Sequence, residues 1–115
     1  MNETDAMKLL DAFGAAWNDH DLDAALALTT EDVVFESTSP SPDGERAEGR
    51  AAVRAAWEPI FADTNARFET EELVIAGDRA FSRWTYRFDG GHVRGVDIFA
   101  FRDGLVAEKF SYVKG

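Results

Sequence analysis

Residues 4–18 are predicted to form an amphipathic helix, because apolar side chains recur there every three to four positions. These side chains are Met7, Leu10, Phe13 and Trp17. Asp21 is a suitable N-cap for a short second helix. A third helix is predicted over residues 49–63, and Pro59 is expected to kink or break it near Glu58 because proline removes a backbone hydrogen bond.

The second half of the chain is predicted to be sheet. Four segments are rich in β-branched and aromatic residues, and the short turns GD, DGG and RDG separate them. They cover residues 66–76, 79–88, 92–101 and 105–113. One further strand is predicted over 32–37, followed by a Pro- and Gly-containing loop over 38–49. The order ααβαββββ indicates an α+β fold in which three helices cover one face of a curved antiparallel sheet.

Length and charge narrow the classes of function. The 115 residues are enough for one domain, residues 1–115, and nine Phe, three Trp and two Tyr can fill a core or line a cavity. The net charge of −10 opposes binding to nucleic acid or to anionic membranes. The absence of cysteine excludes disulfides and thiolate chemistry. With no signal-peptide pattern and no apolar run of about 20 residues, we expect a cytoplasmic protein.

Asp97 is a single carboxylate within an apolar segment, residues 93–101. A buried carboxylate is costly unless it is paired or protonated. Strand alternation places Asp97 on one face and a second apolar set on the other. The face of Asp97 carries Val93, Gly95, Phe99 and Phe101, and the opposite face carries Val96, Ile98 and Ala100.

Three sequence motifs resemble those of the NTF2-like superfamily, and within it the SnoaL-like and ketosteroid-isomerase-like proteins. They are WNDHDLDAALALTTEDVVFES, EGRAAVRAAW and VRGVDIFAFRDGLVAEKFSYV. The resemblance implies a cone-shaped barrel with an apolar cavity, a homodimer formed through the outer sheet face, and no cofactor. It does not imply one activity, because relatives include isomerases, cyclases, dehydratases, epoxide hydrolases and non-enzymatic binders.

The ketosteroid-isomerase pattern is retained at only one of its four positions. The resemblance places the aspartate of the oxyanion hole at Asp97. The tyrosine of that hole corresponds to Phe13, the general base to Ser37 and a supporting tyrosine to Trp57. Phenylalanine cannot donate a hydrogen bond and serine is not a base at neutral pH, so steroid isomerisation by that mechanism is not expected. Glu36 could replace the base only if a bulge turned it inward; a solvated or interface glutamate is the favoured interpretation.

The register of the last hairpin decides what Asp97 can do. A three-residue turn at Arg102–Gly104 would place Lys109 opposite Asp97, with Ser111 on the same face. A two-residue turn would instead place Phe110 opposite Asp97. The first register agrees with the family pattern and is favoured, and it would make Asp97 one half of an ion pair. The second would leave Asp97 as a candidate acid or base.

Two hypotheses remain open for the function. In one, the protein is a cofactor-free acid–base enzyme with Asp97 as the catalytic group and Ser37, Tyr86 and Lys109 as polar helpers. In the other, it is a non-catalytic binding or structural domain in which Asp97 pairs with Lys109. Either way, a small hydrophobic or aromatic molecule is the expected ligand. The predicted pocket comprises Phe13, Trp17, Phe35, Trp57, Phe61, Trp84, Tyr86, Phe99, Phe101 and Ser111.

The two histidines have no spacing typical of a metal site. His20 is expected to be an exposed turn residue between the first two helices. His92 begins a strand and is expected at the cavity rim or in solvent. We therefore expect no bound metal.

Overall fold

The computed structural model describes all residues, Met1–Gly115, as three helices and six strands. The helices are α1 (Glu3–Asn18), α2 (Leu22–Ala27) and α3 (Arg50–Ala62). The strands are β1 (Thr29–Glu36), β2 (Arg46–Glu48), β3 (Arg67–Ala76), β4 (Arg79–Phe88), β5 (Gly91–Arg102) and β6 (Leu105–Val113). All six form one open sheet in the order β2-β1-β6-β5-β4-β3. The predicted α+β fold is confirmed.

The helices begin where the sequence predicts. Asp21 caps α2, because its carboxylate accepts a hydrogen bond from the Ala24 backbone N–H at 3.1 Å. The predicted break in α3 is wrong, since the helix continues through Pro59 to Ala62. Proline lies in the last turn, where only one backbone bond is lost, and the buried Phe61 anchors that turn in the core. None of the three helices has the length and hydrophobicity of a membrane-spanning segment.

Part of the predicted loop 38–49 is a strand. β2 pairs antiparallel with β1, with Ala47 opposite Phe35. Arg46 and Glu36 lie side by side on these strands and form an ion pair at 2.9 Å. The loop prediction is therefore wrong for Arg46–Glu48. These residues have only a weak intrinsic preference for a strand, but pairing with the exposed edge of β1 outweighs it.

The sheet is mixed rather than wholly antiparallel. β1 and β6 run parallel, with Phe35 opposite Lys109, whereas the other four strand pairs are antiparallel. The long connection from β1 to β6 passes through β2, α3 and the three strands β3–β5. It allows the two strands to enter the sheet in the same direction.

The pairing of β5 with β6 differs at Asp97 from both predicted registers, although the turn itself is the less favoured two-residue alternative. Arg102 lies opposite Leu105, so the turn is the two-residue Asp103–Gly104, and both residues have positive φ angles of 56° and 75°. The favoured three-residue turn is therefore wrong. A bulge at Ala107 then adds one residue to β6, which brings Ser111 opposite Asp97. Because the bulge reverses the alternation, the inward face still carries Lys109 and Ser111.

The core lies between the helices and the inner face of the sheet. Seventeen buried hydrophobic residues form one cluster. Trp57 of α3 is fully buried at its centre and contacts Phe13 and Trp17 of α1 at centroid distances of 5.9 and 4.9 Å. Edge-on ring contacts of this kind fix side-chain orientation as well as burying area. α1 is therefore held rigidly over β3–β5, where a cavity remains.

Candidate functional site

A cavity of about 170 Å³ lies between α1 and the inner face of the sheet. Four of the predicted rings line it: Phe13, Trp17, Trp84 and Phe99. Asp97 and Lys109 also line it, and both are buried, with side-chain exposures of 8% and 6%. The cavity is therefore mostly apolar, with one polar cluster in its wall.

The polar cluster consists of Asp97, Lys109 and Ser111. The Lys109 ammonium lies 3.3 Å from Asp97 Oδ2. It also donates a hydrogen bond to Ser111 Oγ at 3.1 Å, and that hydroxyl donates to Asp97 Oδ1 at 2.6 Å. The lysine supplies the counter-charge that a buried carboxylate requires, and the serine connects the two ions.

Aromatic rings enclose the ammonium on its other side. Lys109 Nζ lies 4.7 Å from the ring centroid of Trp17 and 5.0 Å from that of Phe35. Both distances suit a cation–π contact, in which the negative face of a ring attracts a cation. The lysine is therefore placed by three elements, β6, α1 and β1, and has little freedom to turn away from Asp97.

Gly95 gives Trp84 its place in the cavity wall. Gly95 and Trp84 are opposite each other on β5 and β4. A Cβ at Gly95 would lie 2.6 Å from the Trp84 ring and 2.3 Å from the Tyr112 backbone oxygen. Only glycine allows this close approach. Because Gly95 has no side chain, the Trp84 indole can lie over β5.

Two polar groups in the wall have no protein partner. The indole N–H groups of Trp17 and Trp84 are buried and make no hydrogen bond. Both residues are 7% exposed and line the cavity. The indole N–H of Trp57, which does not line the cavity, also makes no hydrogen bond. The unpaired indoles are therefore a property of the packed rings as a group and do not by themselves mark a binding position.

The mouth of the cavity lies along α1. Asp11, Gly14 and Asn18 line it, and a Cβ built at Gly14 would meet no atom within 4 Å. The Asn18 side chain connects the end of α1 to β3 by two hydrogen bonds. It donates to the Phe68 carbonyl at 3.0 Å and accepts from the Phe68 N–H at 2.8 Å. The mouth is therefore open at Gly14 and fixed at Asn18.

The remaining predicted pocket rings do not line the cavity. Phe35, Trp57, Phe61 and Phe101 belong to the hydrophobic core behind it. Tyr86 packs on Phe68 at a centroid distance of 4.5 Å. Burial first, and then the Asp63 charge, raise the pKa of Tyr86. Ser111 contacts Asp97 from the same strand face without lining the cavity itself.

Ser37 and Glu36 lie away from the cavity. The Ser37 hydroxyl donates to the Ser39 carbonyl at 2.8 Å and accepts from the Glu45 N–H at 2.9 Å, so it stabilises the loop before β2. Its suggested role as a polar helper at Asp97 therefore fails on position. Glu36 pairs with Arg46 on the outer side of the sheet and does not turn inward, which agrees with the favoured interpretation.

His20 connects two segments instead of projecting freely. It is half-buried, has a φ of 57°, and its Nε2 lies 2.8 Å from the Ala66 carbonyl oxygen. The expectation of an exposed turn residue is wrong because this hydrogen bond draws the ring against the segment before β3. His92 is exposed on β5. No group of three or more His, Cys, Asp or Glu is arranged to bind a metal ion.

Sequence reasoning missed several lining residues. Leu10, Gly14 and Asn18 share the face of α1 that carries Trp17, so helical spacing could have identified them. Phe68, Thr70, Leu73 and Ser82 line the sheet side. Ser82 lies opposite Asp97 and on the face of Trp84, which strand alternation indicates. The three β3 residues could not be placed, because a bulge at Glu71 shifts that strand.

A second charged cluster lies on the outer face of the sheet. Glu71 accepts hydrogen bonds from both Arg94 Nη2 at 2.8 Å and Thr85 Oγ1 at 2.7 Å. These two bonds, with the nearby charges of Arg94 and Arg83, lower the pKa of Glu71 to about 2. The cluster is on the opposite side of the sheet from the cavity and cannot contribute to its chemistry.

Residues 10–109 match the family model of the SnoaL-like domain. A search of curated proteins finds no match to this chain. Among solved structures, an NTF2-like protein of unknown function from Mesorhizobium loti is 39% identical with a TM-score of 0.87. The alignment covers 97% of this chain and 93% of that one.

Two further structures resemble the chain and concern steroids. A Mycobacterium tuberculosis protein in complex with estradiol-17beta-hemisuccinate is 26% identical, with a TM-score of 0.78 and coverage of 94% of this chain and 92% of that one. A computationally designed 17-OHP binder is 25% identical, with a TM-score of 0.80 and coverage of 96% and 91%. The fold is therefore shared with proteins that bind small molecules.

Proposed function

This protein belongs to the SnoaL-like domain family, and within it we propose that it binds a small apolar or aromatic molecule in the cavity beneath α1. Phe13, Trp17, Trp84 and Phe99 provide the apolar walls. The Asp97–Lys109–Ser111 cluster orients the polar group of the ligand. Mostly apolar pockets with a few placed polar groups are typical of small-molecule sites.

The observation that carries this proposal is the pairing of Asp97 with Lys109 inside the cavity wall. Both ions are nearly inaccessible to water, and both line the same space. A buried pair of this kind is a weak contributor to stability compared with well-packed apolar side chains. Its position beside an open cavity supports a role toward a ligand.

Acid–base chemistry at Asp97 is the second candidate. It is favoured by the position of the carboxylate, which faces the cavity opposite Ser82. Two features weigh against it. Asp97 is already ion-paired with Lys109 and accepts a hydrogen bond from Ser111. The remaining carboxylate of the cavity, Asp11, lies on the exposed side of α1. Turnover of a bound ketone that Asp97→Asn abolishes, with affinity unchanged, would establish this function.

We also propose that two copies associate through the outer sheet face. Val96, Ile98, Phe110 and Tyr112 form an apolar stripe there, and Tyr112 is 56% exposed. Light scattering should give a mass of two chains, and Ile98→Lys should reduce it to one. A single-chain mass for the unchanged protein would contradict this part of the proposal.

Filling the cavity tests the binding function. Leu73 lines the cavity on β3, and Val74, its neighbour, faces outward. Leu73→Phe should reduce the affinity for small aromatic compounds by at least about tenfold, since the new ring occupies their space, whereas Val74→Phe should not. Calorimetric titration measures both. Equal affinities of Leu73→Phe and the unchanged protein would refute binding in this cavity.

A further inference from the structure

We infer that the ligand is an uncharged molecule with a single ring and one hydroxyl or carbonyl oxygen. This inference rests on the proposed binding function and narrows it to a class of compound. Three properties of the cavity lead to it: its size, its balance of charge, and a hydrogen-bond donor of Lys109 that has no acceptor in the protein.

The size of the cavity limits the ligand to one ring. Its volume is about 170 Å³. A cavity of about 150 Å³ binds benzene, whereas pockets for drug-sized ligands measure about 300 Å³ or more. The cavity cannot deepen, because Trp17 and Phe13 both pack on Trp57, which is fully buried. Additional rings would have to protrude past α1 into solvent.

The charge of the cluster favours a neutral ligand. Asp97 and Lys109 balance each other, and Ser111 satisfies both. A ligand carboxylate would bring a second anion beside Asp97 in a buried site, and a ligand ammonium would bring a second cation beside Lys109. Asp11 at the mouth adds a further negative charge that opposes anions.

The polar cluster calls for an oxygen on the ligand. The ammonium of Lys109 has three N–H donors, and its partners in the protein are Ser111 Oγ and Asp97 Oδ2. A hydroxyl or carbonyl oxygen of the ligand would supply a third acceptor, and a hydroxyl could in turn donate to the carboxylate of Asp97. A purely apolar ring would leave this donor of Lys109 without an acceptor.

Four compounds test the three properties separately. They are 4-methylphenol, toluene, 4-methylbenzoate and estradiol, which contains a phenol ring and three more rings. Affinities come from titrations followed by NMR of the tryptophan indole N–H signals. We expect 4-methylphenol to bind at least about tenfold more tightly than each of the other three. The signals of Trp17 and Trp84 should shift most, and that of Trp57, which does not line the cavity, should shift least.

Each contrary result has its own meaning. Tighter binding of estradiol would overturn the size limit, tighter binding of 4-methylbenzoate the charge argument, and equal binding of toluene the need for an oxygen. In these three cases cavity binding itself would stand. If none of the four compounds binds, both this inference and the proposed function are refuted.

Gly14 provides a test of where the ligand enters. A leucine side chain there would extend into the open mouth, because no atom lies within 4 Å of its Cβ position. Gly14→Leu should lower the affinity for 4-methylphenol by at least about tenfold, with no loss of folded signal. The matched control is Ala12→Leu, at an exposed position of the same helix. Unchanged affinity in Gly14→Leu would place the ligand elsewhere and overturn the inference.

Discussion

Two clusters in this protein combine a carboxylate, a basic side chain and a hydroxyl, and they lie on opposite faces of the sheet. Asp97, Lys109 and Ser111 form the inner cluster. Glu71, Arg94 and Thr85 form the outer cluster. The pairs differ in exposure: 8% and 6% for Asp97 and Lys109, but 27% and 44% for Glu71 and Arg94.

The difference in exposure changes what the same chemistry does. In the outer cluster, water screens the charges, so the pair adds little to stability and either ion can be solvated alone. In the inner cluster both side chains are almost fully buried, so little water can replace a lost partner and each ion depends on the other. The inner cluster also lies beside a cavity. A ligand there would contact polar groups that are held in fixed orientations by one another, whereas the polar groups of the outer cluster are solvated.

Removing one ion of the inner pair should have the largest effect. Lys109→Met leaves Asp97 buried without a counter-charge, which should lower the free energy of unfolding by about 3–5 kcal/mol. Urea denaturation at pH 7 measures the change. Lys114→Met, at an exposed lysine near the end of the chain, is the control. A loss below about 1 kcal/mol would show that water reaches Asp97 after all.

A methyl group at Gly95 should cause the next largest loss of stability. Its effect falls on the inner side of the sheet. Gly95→Ala brings a Cβ to 2.6 Å from the Trp84 ring and 2.3 Å from a backbone oxygen. We expect a loss of about 1–3 kcal/mol, typical of overpacking. The Trp84 fluorescence should change with it. If stability is unchanged, Trp84 does not lie over the strand as described.

Changes in the outer cluster should have the smallest effect, and the effect should depend on pH. The pKa of Glu71 is about 2 in the folded protein against an ordinary 4.5. Its contribution is therefore complete above about pH 4.5 and is lost as the pH falls toward 2, because the unfolded chain takes up the proton first. Glu71→Gln should lower the melting temperature slightly at pH 7, and this difference should shrink toward pH 2.

The control for that experiment is the neighbouring substitution Glu72→Gln. Glu72 forms one ion pair, with Arg83 at 3.1 Å. Adding salt should reduce the effect of Glu71→Gln, because exposed charges are screened, whereas it should barely alter the effect of Lys109→Met. A Glu71→Gln difference that grows as the pH falls would contradict the assigned contacts.

The sequence predicted the fold and the inward face of Asp97, but not how its partners are placed. Periodicity identified α1 and strands β3–β6, because local apolar spacing reflects burial directly. The two-residue turn at Asp103–Gly104 was the less favoured of two predictions, and the bulge at Ala107 was not predicted, since a bulge leaves no clear local signal. The two errors cancelled, so Lys109 and Ser111 still lie on the face of Asp97.

The pocket was harder to predict than the fold. Phe35, Trp57 and Phe61 were expected to line it, yet they fill the core behind it. The spacing of these residues along a helix or strand predicts which side of the element is buried. It does not predict whether a ring reaches the cavity or stops in the core. That outcome depends on contacts between distant elements, such as α3 against α1. Ser37 lies away from the cavity because its position is also set by a distant segment. β1 ends at Glu36, and the Ser37 hydroxyl accepts a hydrogen bond from the Glu45 N–H in the following loop.

The affinity of 4-methylphenol for the double variant Asp97→Leu/Lys109→Met tests the central claim most directly. Replacing a buried ion pair by apolar side chains of similar size keeps or raises stability, so the variant should fold with an intact core and an apolar cavity. If the pair orients the ligand, the affinity should fall by at least about tenfold while the free energy of unfolding is maintained. An affinity equal to that of the unchanged protein would contradict the claim.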